Sequence, residues 1–240
     1  MPASVKHRGA TVSLARASGL ELGAYREDHV EERVRRALER EGVEDVEELA
    51  RRIAADAGAR ERFRQSVAMV VTGLFRDPDQ FELLEHEILP SVRGARRQLR
   101  VWSAGCADGS ELYSAGIVLA QANALEGATL LGSDLLEENV RLAELGVYGD
   151  VRMPAALRSR MRWERRDLLT SAPPPGRWSV ILCRNVAIYF TREAKLRLHR
   201  RLASVLAPAG VLLLGRSERI SDPGALGLAP CAAHAYRRVA

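Results

Sequence analysis

The stretch from Leu99 to Leu119, LRVWSAGCADGSELYSAGIVL, decides the fold. It begins with the alternation of a strand, Leu99, Val101 and then small Ala104, and breaks at Gly105. It passes through Cys106, Ala107, Asp108 and Gly109 and turns helical, with Tyr113, Ile117, Leu119 and Ala120 recurring at roughly helical spacing. Strand, glycine turn and helix open a doubly wound α/β domain, whose ligand crevice lies at the carboxyl ends of its strands. Gly105 lets the backbone approach a ligand where a Cβ would collide. One such unit is equally often a plain structural connection, so the case rests on what surrounds it.

Residues 128–133 (ATLLGS) read as a second apolar strand, ending at Asp134. An acidic residue at that tip is where dinucleotide-type folds hold ribose hydroxyls, and a charged acceptor strengthens those hydrogen bonds. A helix N-cap is the competing role for Asp134, and the two can coexist. The phosphate-cradling GxGxxG pattern is absent, as are a Walker lysine and its Ser/Thr partner. A ligand with an adenosine but no pyrophosphate fits better than NAD or ATP, and S-adenosylmethionine is the common ligand of that kind.

The 240 residues, 47% hydrophobic and 28% charged, suffice for one α/β domain with an appended helical piece. Aromatic residues at 5% argue against base-stacking surfaces, so no nucleic acid is expected as a partner. Cys106, Cys183 and Cys231 match neither a disulfide framework nor a zinc site, and no metal is expected. No apolar run reaches membrane-spanning length, and the first residues lack the hydrophobic core of a secretory signal. The expectation is a bacterial-type cytoplasmic protein without membrane insertion. The net charge of +5 favours an acidic partner, although an arginine-rich composition alone would produce it.

In chain order, residues 1–24 read as a frayed tail. Residues 25–92 read as a helical N-terminal domain, with Val34, Leu38, Val43, Val46, Leu49 and Ile53 at helical spacing. Gly42 separates its first two helices, Gly58 ends the second, and Glu32 pairs with Arg36 four residues on. A turn is expected near Arg76, before Pro78, then a helix over 79–89 that ends at Pro90. Residues 93–240 read as the ligand-binding domain. Residues 163–166 form a short strand, and 178–183 (WSVILC) form one buried on both faces of a parallel sheet. Thr191 caps a long amphipathic helix, Pro208–Gly210 turns into a strand over 211–214, and Ala235, Tyr236 and Arg237 lie in a last, antiparallel edge strand.

From about Val67 to Ala240 the chain resembles the chemoreceptor glutamate methyltransferases, the CheR family. TGLFRDPDQF is similar to the family's T-x-x-F-R-D segment, WSAGCADGSELYS to S-A-G-C-S-T-G-E-E-P-Y-S, and LLGSDLL to A-T-D-I-D. ELGVYG resembles K-G-x-Y, ILCRNVAIYF resembles I-F-C-R-N-V-x-I-Y-F, and GVLLLGRSERI resembles G-x-L-x-x-G-H-S-E. The resemblance implies an α/β fold: a Rossmann-like S-adenosylmethionine-dependent methyltransferase sheet with a helical N-terminal domain. It implies methylation of glutamate side chains on the cytoplasmic helices of chemoreceptors, or on another acidic helical protein, with S-adenosylhomocysteine as product. Carried over by position, Thr72 and Arg76 are ligand contacts, Glu111 lies near the cofactor's methionine portion, and Asp134 is the ribose acceptor. Asp167 and Leu168 stand where the family places Asn-Leu beside the adenine, Arg184, Asn185 and Val186 flank the site, and Arg76 and Tyr189 handle the acceptor carboxylate and the methyl group. The plain alternatives are a core aromatic for Tyr189 and a surface salt bridge to Asp77 or Asp79 for Arg76.

A glutamate is already ionised at neutral pH, so methyl transfer to it requires alignment and water exclusion rather than a general base. An arginine can fork onto the acceptor carboxylate, and a tyrosine hydroxyl can orient an oxygen. The chain departs from the family in four places. The region between Tyr148 and Asp167 has no room for the family's three-stranded β insert, which speaks against receptor-tail docking by that route. Val70 stands at an asparagine position, Ser110 and Leu112 replace Glu and Pro beside Glu111, and Asp167 and Arg216 replace Asn and His. These departures leave a second reading open, a cofactor- or product-binding module with an altered or lost acceptor.

Overall fold

The computed structural model describes residues 3–68, 72–94 and 98–239, with side chains from residue 11 onward. Val70 therefore lies outside the described residues. The chain divides into two compact units, residues 1–70 with 189–195 and residues 71–188 with 196–240.

In the helical unit, the stretch that reads as a tail forms α1 (Ala3–Ser18) and a short 3-10 turn, Leu22–Ala24. Its apolar periodicity is thin, and among its described side chains Leu14 is the apolar one that is buried. Helix-favouring Ala15 and Ala17, together with packing against the following helices, stand in for the missing stripe. The Arg64 Nε donates to the terminal Ser18 carbonyl at 2.7 Å, a C-terminal cap from another helix. α2 (Glu27–Glu41) stops at Gly42, whose φ of 66° is the left-handed conformation that glycine adopts without strain. α3 (Val46–Ala55) is capped by Asp45, which accepts the Glu48 N–H at 3.2 Å. α4 (Ala57–Ala68) begins immediately afterwards. Gly58 thus lies in the first turn of α4 and ends nothing, and Asp56 makes the break by accepting the Gly58 N–H at 2.8 Å. Leu14, Leu22, Leu49, Ile53, Phe63 and Val67 form the buried interior. On the exposed face of α2, Arg36 and Arg35 both bond Glu32, pairs that add only tenths of a kcal/mol each.

The second unit begins with a helix that does not end at Pro90. α5 (Pro78–Leu83) runs into a π turn, Leu84–Ile88, and on into α6 (Leu89–Arg93). Proline has no N–H and its ring crowds the carbonyl four residues back; the wider turn just before it accommodates both, so the helix continues. Phe81, Leu84, Ile88, Leu89 and Val92 belong to the same apolar core as Val101, Leu130 and Val180. This segment, expected in the helical domain, therefore packs with the sheet.

Seven strands form that sheet: β1 (Arg100–Ala104), β2 (Thr129–Asp134), β5 (Met161–Arg165), β6 (Trp178–Cys183), β7 (Leu206–Leu214), β8 (Leu228–Ala232) and β9 (Ala235–Arg238). Their order is β5-β2-β1-β6-β7-β9-β8. The first five are mutually parallel, while β9 is antiparallel to both β7 and β8. β9 is thus interior, and the edge belongs to β8, whose Pro230 cannot donate to a ladder and is tolerated there. β7 absorbs the expected Pro208–Gly210 turn as an irregularity, the β7 residues that pair with Trp178 and Val180 of β6 jumping from Leu206 to Val211. β6 is buried at every position. The remaining helices of this unit are α7 (Ser110–Gln121), α8 (Glu137–Leu145), α9 (Ala155–Arg158) and the later part of α10 (Arg192–Val205). A second, two-stranded sheet pairs β3 (Val147–Tyr148) with β4 (Val151–Arg152). The strand order reverses between β1 and β6, which sets the ligand crevice of such a sheet at their carboxyl ends.

Candidate functional site

Beyond β1 the chain turns through Gly105, at φ 82°, and Ala107, at φ 50°. A Cβ on Gly105 would meet the Val186 Cγ2 at 2.5 Å, so only glycine lets this loop and the one after β6 lie so close. The N–H groups of Gly105 and Cys106 both donate to the Ser133 carbonyl, at 2.8 and 2.9 Å. Asp108 accepts the Ser110 N–H at 3.0 Å as α7 starts, and the Tyr148 hydroxyl braces the loop by donating to the Asp108 carbonyl at 2.7 Å.

Asp134, buried at the tip of β2, accepts the Ala107 N–H through Oδ2 at 3.0 Å. Its Oδ1 accepts the Leu136 N–H and the Asn139 Nδ2, each at 2.9 Å. The carboxylate thus caps the turn into α8 and pins the glycine loop, and Oδ2 keeps acceptor capacity for a hydroxyl. Burial pushes its pKa up, while the Leu136, Asn139 and Ala107 donors pull it down.

Glu111, on the first turn of α7, accepts the Ser103 hydroxyl at 2.7 Å and the Arg184 Nη1 at 3.3 Å. Burial raises its pKa against the pull of Arg184 and Ser103. Arg184 follows β6 with its side chain only 3% exposed. Its Nε donates to Gln80 Oε1 at 2.6 Å, and its Nη2 donates to the Arg76 carbonyl at 2.6 Å and to Asp77 Oδ2 at 3.0 Å. Its guanidinium carbon lies 5.0 Å from the centre of the Phe81 ring. Four of the five guanidinium N–H groups are therefore spent on protein partners, two of them in the segment around Arg76. That segment holds Phe75 at φ 52° and Asp77 at φ 57°, left-handed values uncommon outside glycine. The Arg76 side chain is exposed. Asp77 and Asp79 pair with Arg216, the residue at the motif's histidine position. Thr72 hydrogen-bonds the Ser110 hydroxyl, and the Phe75 N–H donates to the Ser114 hydroxyl at 2.9 Å.

Asn185 takes φ 59°, and its N–H donates to Glu218 Oε2 at 2.6 Å. Asp167 and Leu168 are half-buried beyond β5, where Asp167 Oδ1 accepts the Leu169 N–H at 2.8 Å. Tyr189 counts with the helical unit. Its carbonyl accepts the Arg26 N–H at 2.9 Å, and its ring stacks on His29, with centroids 4.6 Å apart and planes at 28°. The His29 Nε2 donates to the Val67 carbonyl at 2.9 Å. Burial lowers the His29 pKa, the Val67 bond and Asp28 oppose that, and Arg33 and Arg26 add to it.

Gln80 and Glu218 carry no role in the sequence reading. Gln80 is 3% exposed and bridges Arg184 to the Leu214 carbonyl, to which its Nε2 donates at 2.8 Å. Glu218 takes three main-chain donors. The available signal is position: each is a polar residue inside a quoted motif, next to the tip of an apolar strand or the turn before a helix.

A five-strand parallel run extended by the antiparallel pair β9 and β8 is the Rossmann-like sheet of S-adenosylmethionine-dependent methyltransferases, and Gly105, Asp134 and Asn185 stand at the tips of its adjacent strands. The family model for the "CheR methyltransferase, SAM binding domain" matches residues 70–154 and 149–232. The chain belongs to the CheR methyltransferase family, and S-adenosylmethionine is its cofactor. It is 30% identical over 243 residues to the chemotaxis protein methyltransferase Cher2 of Pseudomonas putida, covering 88% of each chain. It is 29% identical over 233 residues to a chemotaxis protein methyltransferase of Listeria innocua, again covering 88% of each. Among solved structures, a TehB-like SAM-dependent methyltransferase from Corynebacterium glutamicum is similar at 16% identity and a TM-score of 0.41, over 67% of this chain and 93% of that one. Among the described residues, no helix is long and apolar enough to cross a membrane.

Proposed function

We propose that this methyltransferase esterifies glutamate side chains on the cytoplasmic helices of chemoreceptors, or on another acidic helical protein. The observation that carries this reading is the strained Arg76 segment, fastened through Arg184 beside the buried Glu111. Its Arg76 side chain is exposed, and the guanidinium that braces this segment also bonds Glu111, here proposed as a cofactor contact. An arginine suits a carboxylate acceptor because its planar fork matches the two oxygens.

The residues fit the cofactor's chemistry. Asp134 would take ribose hydroxyls through the acceptor capacity left on Oδ2. Glu111, a buried carboxylate, would face the amino group of the methionine portion. Gly105, Asn185 and Val186 would bring main chain close to the ligand, Asp167 and Leu168 would lie beside the adenine, and Thr72 and Arg184 would complete the contacts. When bound, the sulfonium supplies an electrophilic methyl group. The acceptor carboxylate oxygen bonds to that carbon as the carbon–sulfur bond breaks, the electron pair remaining on sulfur. No proton has to be removed, since the acceptor is already ionised. Arg76 would hold the carboxylate in line.

The test is incubation with methyl-labelled cofactor and cytoplasmic receptor fragments from the same organism. Base-labile methyl ester on glutamate is the expected result, and its absence from every receptor would sink the reading. A second reading, a cofactor- or product-binding module acting through contacts alone, is favoured by the hairpin of two residues per strand between α8 and α9. Tight calorimetric binding of S-adenosylhomocysteine with no turnover on any receptor would support it.

A further inference from the structure

Glu218 lies in the turn after β7 and is 5% exposed. Its Oε2 accepts the N–H groups of Asn185 and Gly215, at 2.6 and 2.9 Å, and its Oε1 accepts the Ala187 N–H at 2.8 Å. One carboxylate therefore ties together the loops that leave two adjacent parallel strands, β6 and β7. Its own turn is fixed as well. The Glu218 N–H donates to the Gly215 carbonyl at 2.9 Å, and the His234 Nδ1 donates to the Glu218 carbonyl at 3.0 Å.

The neighbouring glycine makes this reach possible. A Cβ on Gly215 would sit 2.7 Å from both Glu218 Oε2 and the Asn185 nitrogen, closer than real contacts allow. The bonded Asn185 is itself in the left-handed region, at φ 59°, a conformation that persists only where surrounding contacts hold it. The Arg184–Ala187 loop is thus held at two places. The Arg184 guanidinium is bound to Gln80, Glu111 and Asp77, and the main chain of Asn185 and Ala187 is bound to Glu218.

We infer that Glu218 is a positioning residue of the methyl-transfer site, setting the main chain of Asn185 and Val186 for the cofactor. The inference rests on the proposed reading of those two residues as flanking the cofactor. A carboxylate is required because it offers only acceptors to its three N–H partners. Glutamine has one acceptor oxygen, and its amide would point N–H groups at either the Ala187 N–H or the Asn185 and Gly215 pair.

The experiment compares wild type, Glu218→Gln and Gly215→Ala by calorimetry with S-adenosylhomocysteine. Hydrogen exchange of the 184–187 segment is followed with and without that product. Calorimetry separates affinity from stoichiometry: a residue that merely supports folding lowers the number of competent sites, whereas a positioning residue weakens affinity at each of them. The expected result is product protection of the segment in wild type, with at least tenfold weaker binding at near-unit stoichiometry in both variants. If the product leaves exchange of that segment unchanged in wild type, the reading of the loop as cofactor-flanking fails. If the segment is protected but both variants bind with wild-type affinity, the role of Glu218 is overturned. Should Glu218→Gln fail to fold, Glu218→Asp takes its place, because it keeps the charge and draws the carboxylate back from the three N–H groups without touching the Asn185 main chain, and wild-type affinity in that variant overturns the role.

Discussion

The Arg184 Nη2 donates to the main-chain carbonyl of Arg76 at 2.6 Å, joining the end of β6 to a segment more than a hundred residues earlier. The same guanidinium meets Asp77 and Glu111, so one buried cation balances two carboxylates and braces a backbone with positive φ at Phe75 and Asp77. Removing one partner of a buried ionic cluster leaves the others uncompensated, a loss of about 3–5 kcal/mol. Arg184→Ala should lose stability on that scale in urea unfolding of the ligand-free protein. Arg184→Lys should lose less, because it keeps the charge and gives up the fork. Equal stability of Arg184→Ala and wild type would remove the bracing role.

Asp134→Asn tests the tip of β2. The carboxylate serves Leu136 and Asn139 through one oxygen and Ala107 through the other. An asparagine must turn its amide toward one of those donors, leaving a buried donor unpaired at a cost of about 1–3 kcal/mol. The variant should unfold at lower urea concentration and bind S-adenosylhomocysteine at least tenfold more weakly. Loss of stability with unchanged affinity would make Asp134 a loop pin without a ligand role.

His29 makes stability depend on pH. Burial lowers its pKa below the ordinary value of about 6.5, so the unfolded chain takes up a proton on this group more readily than the folded one. The stability it contributes is complete above about pH 6.5 and is lost as pH falls through the lowered folded value. His29→Gln keeps a donor for the Val67 carbonyl and cannot titrate. The stability difference between wild type and this variant, read from urea midpoints, should shift against wild type as pH drops below about 6.5. A difference constant with pH would mean that His29 does not couple folding to protons.

Much of this architecture is legible in the chain because it is written in local pattern. WSVILC has no polar alternation and becomes a strand buried on both faces, and Asp134 sits at the tip that its position after an apolar run implies. Thr191, read as a cap, accepts the Ala194 N–H at 3.2 Å. The features that escape reading depend on partners far along the chain. α1 has little apolar stripe and is held by packing and by Arg64. Pro90 stays within a helix because the preceding π turn spares its missing N–H, and no local pattern announces that turn. Gln80 and Glu218 act on main-chain groups of other elements, Gln80 on Leu214 and Glu218 on Asn185 and Ala187. A side chain whose partner is backbone leaves no complementary residue in the sequence to point to it.

Arg76→Ala separates acceptor handling from cofactor binding. The brace from Arg184 holds the Arg76 carbonyl and not its side chain, so truncating the side chain leaves the main-chain anchor in place. If the exposed guanidinium clamps the acceptor carboxylate during transfer, its loss removes a charge-assisted interaction at the reacting group. What is lost is alignment of the acceptor oxygen, and a misplacement of about 1 Å costs about 10² in turnover. Arg76→Ala should therefore lower the rate of methyl-ester formation by about a hundredfold while leaving calorimetric binding of S-adenosylhomocysteine within about threefold of wild type, under 1 kcal/mol. Arg76→Lys should recover only part of the rate, since a point charge cannot reproduce the fork. Parallel loss of turnover and product affinity would move Arg76 from the acceptor to the cofactor, and unchanged turnover would return it to the surface.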